Sequence, residues 1–85
     1  MPHYYLNIRN GNGLTVDEEG QELADAAEAR ETALVGIRSI LAEELASGRM
    51  DLDGSIDVLD AASQLVMSVR FEEAVAFHFR RQTAH

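Results

Sequence analysis

The chain has 85 residues, a hydrophobic fraction of 46% and a formal net charge of −8, with no cysteine and no lysine. That length bounds one domain, the apolar fraction argues against disorder, and the absence of cysteine excludes disulfides and thiol nucleophiles. The charge is uneven, −6 over residues 1–48, −4 over 49–75 and +2 over 76–85, so general nucleic-acid binding, which needs clustered Lys or Arg against phosphates, is disfavoured.

Residues 3–9, HYYLNIR, alternate: Tyr4, Leu6 and Ile8 on one face, Tyr5, Asn7 and Arg9 on the other. Period two with aromatic and branched residues reads as a strand. Asn10-Gly11-Asn12-Gly13 follows, and Asn-Gly steps favour tight hairpin turns. Leu14 to Asp17 is then expected to pair antiparallel with the first strand.

The stretch Asp17-Glu18-Glu19-Gly20 poses a choice between an acidic site and a turn. It fits a type I turn with Gly20 in the left-handed position. Leu23 returns to the core. Asp25, with Glu28 three residues on, reads as a helix N-cap with a D-x-x-E form of the capping box, and both acids suit the positive end of a helix dipole. Each acid from Asp17 to Glu28 therefore has a local structural role.

A helix is expected from about Ala26 to Ser47, stopped by Gly48. Leu34, Ile37, Leu41 and Leu45 form its apolar stripe, and Ala29, Ala33, Gly36 and Ile40 form a second stripe of mostly small residues. Glycine within a helix costs about 1 kcal/mol relative to alanine, so Gly36 is read as a close approach, to the sheet in preference to a second helix.

Asp53-Gly54 reads as a turn, Ile56 and Val58 as one face of a third strand, and Asp60-Ala61-Ala62-Ser63 as another turn. Gln64 to Phe71 reads as a fourth strand with Leu65, Met67 and Val69 inward. From Glu72 the pattern is ambiguous. Phe71, Val75 and Phe79 share a helical face, while Val75, Phe77 and Phe79 also alternate as in a strand; a C-terminal helix is the reading adopted. The expected fold is α+β: a single antiparallel sheet in the order β-β-α-β-β, then that helix, with the long helix packed on one sheet face. Residues 1–75 form the domain and 76–85 its tail. The other sheet face, with Tyr5, Asn7, Leu59, Val66 and Ser68, is half apolar and open to a cover.

The search for chemistry yields little. Asp51, Asp53 and Asp57 are weak metal candidates, because a calcium loop counted from Asp51 puts Gly54 at position 4 and Ala62 at position 12, against the required glycine at 6 and glutamate at 12. His3, His78 and His85 form no H-x-x-x-H pattern. No serine lies in G-x-S-x-G, and Gly11 and Gly13 lack the third glycine of a dinucleotide loop. No catalytic residue and no cofactor are assigned, and an enzyme is not expected. The stretch Phe77-His78-Phe79-Arg80-Arg81 mixes aromatics with arginines, suited to stacking on bases or docking on an acidic partner.

No apolar run approaches the ~18 residues of a membrane span, and the start MPHYYLNIR lacks the basic and apolar regions of a signal peptide. A cytoplasmic location is the expectation.

Three stretches together, MPHYYLNIRNG, DEEGQELAD and DLDGSIDVLDAASQLVMSVRF, carry the patterns Y-x-L-x-x-R-x-G, D-x-E-G-x-E-L-x-D and D-x-D-G. In combination they resemble the small bacterial proteins of domain-of-unknown-function family 6894, over residues 1 to about 75. The family has no assigned activity, so the resemblance implies no catalytic residue. At the level of topology the chain is also similar to the HicB-type antitoxin domain, which would imply neutralising a small basic toxin. These 85 residues contain no helix-turn-helix or ribbon DNA-binding unit of the kind such antitoxins often carry.

Apolar burial at about 25 cal/mol per Å² roughly cancels an ordering cost of about 1.5 kcal/mol per residue in so small a domain. A second copy or another protein covering an apolar face would help. The expected function is a non-enzymatic protein-interaction or regulatory module that forms a homodimer or binds a protein partner. The expected contact residues are Tyr5, Val66, Phe77, Phe79, Arg80 and Arg81. The alternatives are an antitoxin-like binder of a basic protein, and a small-molecule or divalent-metal domain using Asp51, Asp53 and Asp57.

Overall fold

A computed structural model describes residues 1–80 of the chain. The elements run β1 (His3–Asn10), β2 (Gly13–Thr15), β3 (Gln21–Glu22), α1 (Ala26–Ala46), β4 (Ser55–Leu59), β5 (Leu65–Arg70) and a 3-10 turn (Phe71–Ala74). All strand pairs are antiparallel and the order across the sheet is β2-β1-β4-β5, with β3 paired to β1 on the same side as β2. One antiparallel sheet and one long helix make the domain α+β, as the alternation and spacing imply.

Strands β1, β4 and β5 together form the inner face of the sheet. Tyr4, Ile56, Val58 and Val69 are buried there, with Leu6, Ile8 and Met67 half-buried against them. Helix α1 lays Ala29, Ala33, Leu34, Ile37 and Leu41 over this face. Leu23, Phe71 and Ala74 complete the core, and among the described residues no polar one is buried. A Cβ built on Gly36 would lie 3.6 Å from Ile56 Cδ1, so that glycine faces the sheet at ordinary contact distance. Leu45, expected in the apolar stripe, is 62% exposed; it lies a turn beyond Leu41, the last buried residue of the helix.

The helix ends are built from side chains. Asp25 Oδ1 accepts the Glu28 amide at 2.9 Å, and Glu28 Oε2 reaches back to the Ala24 amide at 3.2 Å, one residue beyond the N-cap amide of a reciprocal box. Such an N-cap contributes about 1 kcal/mol. At the other end Ser47 caps the helix and Gly48 takes φ +88°.

The expected C-terminal helix is corrected to a single 3-10 turn. Glu73 Oε2 accepts the Arg70 amide at 2.7 Å, which starts a turn at Phe71. The Ala74 carbonyl, which a continuing helix would give to a later amide, is taken by Arg38 Nε from α1 at 2.8 Å. Val75 is then extended, at φ −133° and ψ 150°. Residues 76–80 are exposed and carry no regular structure. Val75, Phe77, His78 and Phe79 are weaker helix formers than Ala76 and Arg80, and no local cap continues the turn through them.

Two further boundaries differ. The expected second strand through Asp17 stops at Thr15, and a short strand after Gly20, absent from the sequence reading, pairs Gln21 with Tyr4 and Glu22 with His3. Leu65, expected inward, is 61% exposed. The register slips between Val58, opposite Met67, and Leu59, opposite Leu65. Val66 is therefore the extra residue of a bulge, and the alternation beyond it is reset.

Candidate interaction surface

The outer sheet face is ordered in rows by the strand register. Tyr5 lies opposite Leu59 and Leu59 opposite Leu65; Asn7 opposite Asp57 and Asp57 opposite Ser68; Arg9 opposite Ser55 and Ser55 opposite Arg70. One end of the face is thus apolar and the rest polar. His3 extends the apolar end, its ring edge-on to Tyr5 at 5.1 Å. Leu65 belongs to this row although the strict alternation assigned it to the core. The bulge that moved it leaves no mark in periodicity, since Val66 is as good a strand residue as its neighbours.

The polar rows are closed on themselves. Asp57 accepts from Arg9 Nη2 at 3.2 Å and from the Ser68 hydroxyl at 2.7 Å. Asp57 is accordingly engaged on the outer face, while Asp51 and Asp53 share a loop in which Asp51 Oδ1 accepts the Asp53 amide at 2.9 Å. Among the described residues no three His, Cys, Asp or Glu side chains come together in a group able to hold a metal ion, so the three aspartates are not assembled into a site. An open groove of about 670 Å³ runs past this loop, lined by Asp51, Asp53, Ser68, Arg70 and Glu72 among others. Beneath it, Gly54 is buried with no room for a side chain: a Cβ there would meet Phe71 Cε2 at 2.6 Å and the Arg9 carbonyl oxygen at 2.9 Å.

The acidic turn is structural. Strands β2 and β3 flank the middle of β1 without covering it. Asp17 fills the gap: its Oδ2 accepts the Leu6 amide at 3.1 Å, its Oδ1 accepts the Gly20 amide at 3.0 Å, and its own amide donates to Asn7 Oδ1 at 2.9 Å. Gly20 takes φ +66°, and a Cβ there would lie 2.7 Å from the Tyr4 carbonyl oxygen. His3 Nε2 donates to the Glu19 carbonyl at 2.8 Å.

The remaining expected contact residues sit on β5 and beyond the 3-10 turn. Val66 is 38% exposed, Phe77 49% and Phe79 90%. Phe77 and Phe79 stack on each other, centroids 6.3 Å apart and planes 8° from parallel. Arg80 is exposed beside them; Arg81 and His85 lie outside the described residues. The structure therefore separates the contact residues into two places, the apolar end of the outer face and the stacked pair. The root of the latter segment is pinned to α1, by Arg38 at Ala74 and by an ion pair of Arg30 with Glu73 at 3.1 Å.

The family model described as Domain of unknown function (DUF6894) matches residues 3–72, from the start of β1 into the 3-10 turn. The chain belongs to the DUF6894 family. The match takes in the whole sheet, the helix and the Asp17 turn, and leaves residues 75–80 outside it. No curated protein and no solved structure matches the chain. Among the described residues no helix is long and apolar enough to cross a membrane.

Proposed function

We propose that this DUF6894 chain is a non-enzymatic protein-interaction module that works as a homodimer. The observation that carries the reading is the exposure of Leu65, Phe77 and Phe79 in a molecule where Asp17, Asp25, Asp57 and Glu73 serve as turn, cap and ion-pair groups. Exposed apolar patches of this kind mark interaction surfaces, and a domain this small gains stability by covering them. Sedimentation equilibrium across low to high micromolar concentration tests it. A reversible dimer is the expected result; a monomer throughout that also retains nothing from a native lysate ends the reading.

The net charge of −8 favours a second reading, an antitoxin-like binder of a basic protein, since opposite charge speeds encounter and selects partners. A native pull-down that yields one basic protein in near-stoichiometric amount would replace the homodimer with it.

A further inference from the structure

Strand β5 is the last strand of its sheet, and no strand lies along its outer edge among the described residues. The Phe71 amide donates to the Gly54 carbonyl at 2.9 Å, toward β4. Amides alternate in direction along a strand, so the Arg70 amide points outward, and there Glu73 Oε2 takes it at 2.7 Å. The outer edge is thus blocked at its Arg70 end and open at its Leu65 end. An open edge of this kind is a template for an added strand.

Residues 75–80 have the properties of such a strand and no place for it in their own copy. Val75 is already extended. Phe77 and Phe79, two apart, share one side and stack, as period two requires. No backbone hydrogen bond reaches from this segment to the rest of the described residues. The segment is as long as β5, which has 6 residues. Charge also matches: the segment carries +1, from Arg80, and residues 1–74 carry −10, so the segment is a part of the chain that another acidic copy attracts.

We infer that residues 75–80 of one copy add as a strand to the open edge of β5 in a second copy. One of Phe77 and Phe79 then extends the Tyr5–Leu59–Leu65 row of the partner's sheet, and the other falls in the adjoining row on the same face. Two copies related by a two-fold axis exchange segments reciprocally, which closes the assembly at a dimer. Main-chain hydrogen bonds supply affinity and the aromatic pair supplies the choice of edge. This inference rests on the homodimer reading and states how that dimer is made.

The chain has no cysteine, so a nitroxide can be placed on a single introduced one. His78→Cys keeps both phenylalanines and Arg80. The labelled variant is mixed with ¹⁵N-labelled wild-type chain at about 0.15 M ionic strength, where exposed charges are screened beyond about 8 Å. Only contacts between copies can then broaden the observed amides. The expected result is a several-fold loss of intensity confined to Leu65–Val69 and the facing end of β4. A dimer by sedimentation with no broadening there, or with broadening centred on α1, overturns the exchange while leaving the homodimer standing; a monomer overturns both. A Phe77→Ser, Phe79→Ser variant, whose substitutions lie outside the core, is expected to weaken the dimer on the order of tenfold or more with its melting transition retained. An unchanged dimer constant overturns the proposal.

Discussion

At the scale of single residues, the Asp17 carboxylate accepts two amides, one across the gap in β1 and one within its own turn, while its amide is held by Asn7. Losing it leaves the half-buried Leu6 amide without an acceptor, a cost of about 1–3 kcal/mol. Asp17→Ala is therefore expected to lower stability by that amount in urea unfolding, and Glu18→Ala, on an exposed neighbour, to stay within about 0.5 kcal/mol of wild type. Equal effects would show that the turn depends on its net charge and not on this carboxylate. Gly36 makes the opposite case. Its position over Ile56 leaves ordinary contact distance for a methyl group, so close packing does not require glycine. Gly36→Ala is expected to raise stability by about 0.5–1 kcal/mol through helix propensity and the unfolded-state entropy; a loss in the same measurement would mean that the packing of the helix on β4 depends on glycine at this position.

At the scale of elements, the 3-10 turn joins the sheet to the helix through Glu73. Its carboxyl is held below the ordinary value of 4.5, first by the hydrogen bond from the Arg70 amide, against some desolvation, and then by the Arg30 guanidinium. A folded-state value lower than the unfolded one contributes stability above the unfolded value, and the contribution is lost as pH falls through the folded one. Wild type is thus expected to exceed Glu73→Gln in melting temperature at pH 7, with the gap closing as pH falls below about 4.5. The gap is small, because this ion pair is largely exposed, with side chains 44% and 38% accessible. A gap that does not change with pH would assign the turn to neutral hydrogen bonding alone. The same element explains why the last expected helix is absent. Arg38, brought in by α1, takes the Ala74 carbonyl that a further helical turn would use, whereas the bond from the Arg70 amide to Glu73 is a local cap that starts the turn and does not stop it.

At the scale of the whole molecule, charge and shape pull in different directions. A net charge of −8 destabilises the compact state through self-repulsion. Raising salt shortens the screening length from about 30 Å at 0.01 M to about 10 Å at 0.1 M. The melting temperature is expected to rise over that range; a fall would show that the Arg9–Asp57 and Arg30–Glu73 pairs outweigh the repulsion of the remaining acids. The helix covers one face of the sheet, and the other keeps an apolar end with no cover among the described residues, which is where an added strand would gain most.

Local chemistry by itself determined much of this protein. The alternation of Tyr4, Leu6 and Ile8, the Asn-Gly hairpin, the left-handed Gly20, the Asp25 cap and the Gly48 stop each depend on residues within a few positions of one another, so each could be read from the chain and each is present in the fold. What only the tertiary structure decided depends on partners far apart. The Val66 bulge answers to the register against β4, and it turned Leu65 from a core residue into part of the exposed row. The outward course of residues 75–80 answers to Arg38, 36 positions away from Ala74. Asp57 was separable from Asp51 and Asp53 only once Arg9 and Ser68 were seen on either side of it. Periodicity records which residues share a face; it does not record which strand lies opposite or which side chain arrives from the helix, and those two facts place the exposed surface.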